Sequence, residues 1–222
     1  MKVVGADAAR GGWLAVCLTD GKYAETSFFK AFGALLDAFP QAAVVAVDIP
    51  VGLPRGVRRA DEEARKRLGS QARSVLPTPP RPALHERNFR KAYAIARALD
   101  GRLTKQSHAL SARIVEVERY AVRNSRIVEV HPEVSFWAMN GQQPLAFPKR
   151  TWNGLMLRLD LLRKHGIELP SQISGTGPAS AADVVDAAAA AWSAWRVARG
   201  EARCLPDPPP DRTSTDGGAI WY

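Results

Sequence analysis

At 222 residues, with 46% hydrophobic and 24% charged residues, the chain has the length and composition of one globular domain with a substantial core. No apolar run approaches the ~20 residues of a membrane span, and Cys17 and Cys204 lack a partner motif, which speaks against a disulfide framework or a cysteine zinc site. The net charge of +9 points towards an anionic partner.

The stretch "MKVVGAD" reads as a buried strand, without the apolar h-region or cleavage site of a signal peptide, so a cytoplasmic protein with reduced thiols is expected. Asp7 ends the apolar run, and the turn "AARGG" follows. "WLAVCLTD" is a second strand, and Asp20-Gly21 is a hairpin signal leading into a third, "KYAETSFF". Phe32, Leu35, Leu36 and Phe39 recur at helical spacing up to Pro40. "AAVVAVDIPVGLP" then suits a central parallel strand, covered on both faces and closing on Asp48.

Residues 55–126 form a basic, mostly helical insertion. They hold 18 of the 31 Lys and Arg residues and 7 of the 22 Asp and Glu residues, so the excess positive charge lies in this segment. Solvated helix faces account for such residues one by one, but charge this one-sided favours a polyanion such as nucleic acid. Within the segment, "RRADEEARKRLG" is a helix closed by Gly69, "SVLPTPPRPAL" is loop, and two further helical stretches follow. "RIVEVHPEVSF" restores the strand pattern, stopped at Pro132, with Glu129 and His131 on one side and Glu133 beyond the strand. "WNGLMLRLDLLRKHGI" is an amphipathic helix, "SGTGPAS" a loop, and "AADVVDAAAAAWSAWRVARG" a strong helix closed by Gly200. The tail "CLPDPPPDRTSTDGG" reads as a proline-rich loop before "AIWY", a short apolar end suited to joining the sheet.

If the first strand and the strand after the crossover are parallel neighbours, Asp7 and Asp48 emerge at the same carboxyl edge. Asp183 and Asp186, three apart, share a face of the last long helix. Clustered carboxylates need a counterion, most simply Mg²⁺ or Mn²⁺, and such a site suits attack of water on a phosphodiester. Other readings stand beside this one. Asp7 and Asp48 are also suited to capping loop amides, and Ser180 with Asp183 has the form of a capping box. A lone histidine such as His131 is more often structural, but beside a carboxylate cluster it is placed to orient water or bind phosphate.

The order of elements and these acids resemble the RNase H-like superfamily, whose mixed sheet has three antiparallel strands followed by parallel ones, flanked by helices. The spacing of Asp183 and Asp186 looks like that of RuvC-type resolvases. More closely, the chain resembles the family catalogued as domain of unknown function 429, described as predicted RNase H-like nucleases. The matching stretches are "GADAARGGWLAV", "AVDIPVGLP", "DEEARKRLGSQARSVLPTPPRPAL", "IVEVHPEVSF", "PKRTWNGLMLRLDLL" and "DVVDAAAAAWSAWR". The resemblance implies that Asp7, Asp48, Asp183 and Asp186 hold a metal, and that His131 and Glu133 belong to the family's own pattern. Ala8 departs from it, since many relatives have glycine after the first acid.

The expected function is therefore metal-dependent hydrolysis of nucleic-acid phosphodiesters, with Arg73, Arg81, Lys149 and Arg150 on the phosphates and a resolvase-like role favouring a homodimer. The alternative is a nucleic-acid-binding protein without hydrolysis. Phosphoryl transfer of the sugar-kinase type ranks last, because it needs two such domains and the chain lacks a G-x-x-x-x-G-K-[ST] loop.

Overall fold

The computed structural model describes residues 1–211 and 217–222. The part of the proline-rich tail expected as loop over 212–216 lies outside the described residues. Strands β1 (Lys2–Ala9), β2 (Gly12–Thr19) and β3 (Lys22–Phe29) form an antiparallel meander. Asp20 and Gly21 both take positive φ, 50° and 79°, the twist a two-residue hairpin requires. Helix α1 (Phe32–Ala38) leads to β4 (Ala42–Val47), which lies parallel to β1. Helices α2 (Arg59–Leu68), α3 (Phe89–Ala98), α4 (Lys105–Ala109) and α5 (Ser111–Ala121) precede β5 (Ile127–Val130), which is parallel to β4. Helices α6 (Pro132–Met139), α7 (Trp152–Lys164) and α8 (Ala181–Ala198) follow, then β6 (Cys204–Leu205) and β7 (Ile220–Trp221). The seven strands form one mixed sheet in the order β3-β2-β1-β4-β5-β7-β6.

Three expectations change in detail. β1 continues through Ala8 and Ala9, so Asp7 sits inside the strand, opposite Leu14, rather than at its end. Pro132 stops the strand by starting a helix, because its fixed φ and missing N–H suit the first helical position; Glu133 is therefore in the first turn of α6. The helical stretch 55–126 is also not all insertion. Ile114, Val117 and Ala121 of α5 pack in the core beneath the sheet with Phe32 and Leu35 of α1. Glu116 of α5 accepts bonds from the Phe32 N–H (2.6 Å) and from Trp13 Nε1 (3.1 Å), capping α1, whose own flanking residue Ala31 supplies no side-chain cap.

Strand alternation divides the core into two layers. Val4 and Ala6 of β1, with Val45 and Val47 of β4, face α1 and α5. Val3 and Val16, with Val44 and Ala46, face α8. Gly5 also faces α8: a Cβ there would lie 2.0 Å from the Ala191 nitrogen and 2.2 Å from the Ala187 oxygen. Residues 187–191 of α8 are all alanine and all buried, so the helix backbone rests almost directly on β1. The alanine run is therefore a close-approach surface as well as a good helix former, and it fixes where the first turns of α8 lie.

Candidate active site at the carboxyl edge of the sheet

β1 and β4 pair in register from Val3 opposite Val44 to Ala6 opposite Val47. The Asp48 N–H donates to the Ala6 carbonyl (3.1 Å), which carries the ladder one step past the end of β4. The next rung sets Asp7 beside Asp48. Both stand two residues beyond positions that face α8, Gly5 and Ala46, and so belong to the α8 side of the sheet. One turn before Ala187 and Ala190, α8 carries Asp186 and Asp183.

Asp7 is the acid that feels the charge of the other three. Burial first, then the charges of Asp48, Asp186 and Asp183, push the Asp7 carboxyl well above the usual carboxylate range, with only Lys149 opposing. Asp48 is raised by burial and by Glu133, against the pull of His131 and Lys149. Asp186 is pushed up to about 6, because burial with the help of Asp48 and Glu133 outweighs its ion pair with Lys149. That pair is close, Lys149 Nζ donating to Asp186 Oδ2 at 2.8 Å, and the surrounding acids hold the Lys149 proton more tightly than usual. Asp183 is committed to a capping box: its Oδ2 accepts from the Ser180 N–H (2.7 Å) and its own N–H donates to Ser180 Oγ (3.3 Å). The cap and the charge on Asp7 are both roles of this one side chain.

Carboxylate oxygens are the donor type that Mg²⁺ or Mn²⁺ prefers, and several acids here face a single ammonium, so the set suits a divalent cation in donor type and charge but not in spacing. Among the described residues, no three His, Cys, Asp or Glu side chains stand close enough to hold a metal ion. Lys149 is the cation in contact with Asp186.

The other expected residues are distributed around this edge. His131 and Asp48 line a cavity of about 110 Å³, walled by the loop that includes Pro77 and Pro79. His131 Nε2 lies 3.4 Å from the Ser74 carbonyl, and its buried Nδ1 has no hydrogen-bond partner. Glu133 is buried in a two-pronged pair with Arg158 of α7, accepting from Nε (3.0 Å) and Nη2 (2.5 Å). Arg73 is exposed beside Ser74, on the rim of the cavity, and Arg150 is exposed beside Lys149. Arg81 lies on a short 3-10 turn and pairs with Glu118 of α5 (2.6 Å).

Sequence reasoning missed two buried arginines. Arg58 donates through both Nη atoms to Glu129, through Nη1 also to Asp61 (3.3 Å), and through Nη2 to the Val51 carbonyl (3.4 Å). Asp61 in turn accepts from the Thr78 N–H (2.7 Å), so this network ties α2 and the proline loop to β5. Arg158 holds Glu133 and also donates to the carbonyls of Gly154 (2.8 Å) and Phe147 (3.2 Å). In a chain this rich in arginine, no local pattern separates these two from surface residues.

A family model described as "Protein of unknown function (DUF429)" matches residues 5–211. No curated protein and no solved structure matches the chain. No helix among the described residues is long and apolar enough to cross a membrane.

Proposed function

The chain belongs to the DUF429 family, and from that premise we propose that it is a divalent-metal-dependent nuclease on an RNase H-like fold. The sheet order supports the fold reading, with a meander at one edge and parallel strands beyond it. The observation that carries the chemistry is the cross-strand pair Asp7 and Asp48 beneath Asp186 of α8, all three carboxyls raised first by burial, Asp7 also by the other two and Asp186 also by Asp48.

The acids suited to Mg²⁺ or Mn²⁺ are Asp7, Asp48 and Asp186, which would have to draw closer to share one ion, with Asp183 adding charge from its capping position. Bound there, the cation supplies Lewis acidity and lowers the pKa of water. The chain's own groups do the remaining work. Lys149, beside Asp186, is placed to meet a phosphate oxygen once the acids are otherwise neutralised. Arg73 and Arg150 flank the edge and give the phosphate backbone two anchoring charges. His131, with Nδ1 unpartnered and its ring beside Asp48, is the group suited to orient a water or take its proton. A nucleic-acid substrate agrees with the basic segment 55–126; the cytoplasmic location and the homodimer belong to the same proposal.

The test is incubation of labelled single- and double-stranded oligonucleotides with the protein and Mn²⁺. Cleavage that chelator abolishes and that is lost in Asp48→Asn is the expected result. Salt-sensitive binding without cleavage would instead favour a nucleic-acid-binding protein.

A further inference from the structure

Resting on that reading, we infer that the site takes an unpaired strand, and that Trp152 with the apolar groove beyond it forms the subsite for its bases. Trp152 is 72% exposed, and it lies three residues from Lys149, the cation on Asp186. An indole left this open presents its stacking face to solvent, where a base can cover it.

The turn that carries it is firmly built. Thr151 donates to the Pro148 carbonyl from N–H (3.1 Å) and from Oγ1 (2.8 Å), and it accepts from the Gly154 N–H (3.0 Å) at the start of α7. Gly154 passes so near this turn that a Cβ would lie 1.9 Å from the Pro148 oxygen. Arg158 grips the Phe147 carbonyl from below, itself fixed by buried Glu133. Exposure on so constrained a turn is presentation with little entropy left to lose on binding.

Along α7, Trp152, Leu155 and Leu159 fall three and four residues apart and so share a face. Leu155 and Leu159 line a groove of about 530 Å³, closed on its other side by Ile173, Val184 and Val185. That volume is within the usual range for small-molecule sites, and the groove runs beside the turn of α8 that bears Asp183 and Asp186. The charges decide the occupant. Lys149 and Arg150 stand next to Trp152 in the chain, so a ligand that carries backbone anions as well as flat apolar faces matches both features. In a duplex those faces are stacked and hidden, whereas an unpaired strand offers them.

The experiment measures anisotropy of a labelled oligothymidylate and of a labelled duplex of equal length, in chelator, for wild type, Trp152→Ala and Trp152→Phe. We expect Trp152→Ala to weaken single-strand binding about tenfold, on the scale of one lost base stack, with duplex affinity unchanged and Trp152→Phe close to wild type. Equal loss on both probes, or none, overturns the subsite. So does a change of oligomeric mass in Trp152→Ala, which would place a second copy on the indole. Wild type that binds neither probe would sink the nuclease reading itself, whereas metal-dependent cleavage insensitive to Trp152 would remove only this inference.

Discussion

Asp7 and Asp48 are neighbours across two parallel strands, one rung beyond Ala6 and Val47. Burial raises both carboxyls, the charge of Asp48 raises Asp7 further, and neither has a partnered arginine to offset the cost. Each substitution, Asp7→Asn or Asp48→Asn, is expected to lower Mn²⁺-dependent cleavage at least ~100-fold, the scale of removing one key electrostatic group. Thermal melting without metal should hold steady or rise, because a like charge has been removed. A variant that unfolds instead would assign the acid a structural role.

The same crowding sets a pH dependence. The folded Asp186 carboxyl is held up at about 6, above its unfolded value, so between the two values the folded state binds more protons than the unfolded one. Stability from this group is therefore full below the unfolded value and falls as pH rises through the window towards about 6, by on the order of 3 kcal/mol. Other carboxylates also titrate there, so the check is the difference in chelator between wild type and Asp186→Asn. Wild type should lose more melting temperature across the window than the variant. Parallel pH profiles would contradict this.

Lys149 is the ammonium nearest these acids, and it competes for the place a divalent cation would take. Lys149→Met leaves Asp186 buried and unpaired, at a cost of about 1–2 kcal/mol, less than for a fully buried pair because the ammonium is partly exposed. Mn²⁺ should then raise the melting temperature of the variant more than that of wild type. Equal shifts would show that metal and ammonium occupy separate places.

Glu133 acts at a distance if its contacts define its role. Glu133→Gln breaks its two-pronged pair with Arg158 and leaves a buried guanidinium uncompensated, an expected loss of about 3–5 kcal/mol in urea unfolding. Because Arg158 also holds the Phe147 carbonyl, the turn bearing Lys149 and Trp152 should loosen, seen as faster amide exchange over residues 147–152. Cleavage lost with unchanged exchange would move Glu133 into the chemistry.

The legible and hidden parts of this molecule differ in how local their causes are. The Asp20-Gly21 turn, the alternation that puts Gly5 and Asp7 on one face, and the capping box at Ser180 are each set within a few residues, so the chain displays them. The helix that carries Glu133 was hidden because Pro132 ends a strand and opens a helix equally well, and only packing decides between those uses. Arg58 and Arg158 were hidden because a buried guanidinium is defined by partners 71 and 25 residues away, Glu129 and Glu133. The basic segment misled in the same way: its charge concealed that Ile114 and Val117 make α5 part of the core.

Gly5 joins the fold to the site most directly. An alanine there would set a methyl 2.0 Å from the Ala191 nitrogen and 2.2 Å from the Ala187 oxygen, both backbone atoms of a helix that cannot yield locally. Helix α8 must move off β1, carrying Asp183 and Asp186 away from Asp7. The expected cost of Gly5→Ala is at least ~3 kcal/mol, at the upper end for overpacking, with Mn²⁺-induced stabilisation lost along with it. Gly11→Ala is the control, because Gly11 has a φ of 79° with nothing within 4 Å of an added Cβ, so only backbone strain of about 1–2 kcal/mol is expected there. If Gly5→Ala keeps its response to Mn²⁺ at full size while losing stability, the seating of α8 on β1 is not what brings the carboxylates together.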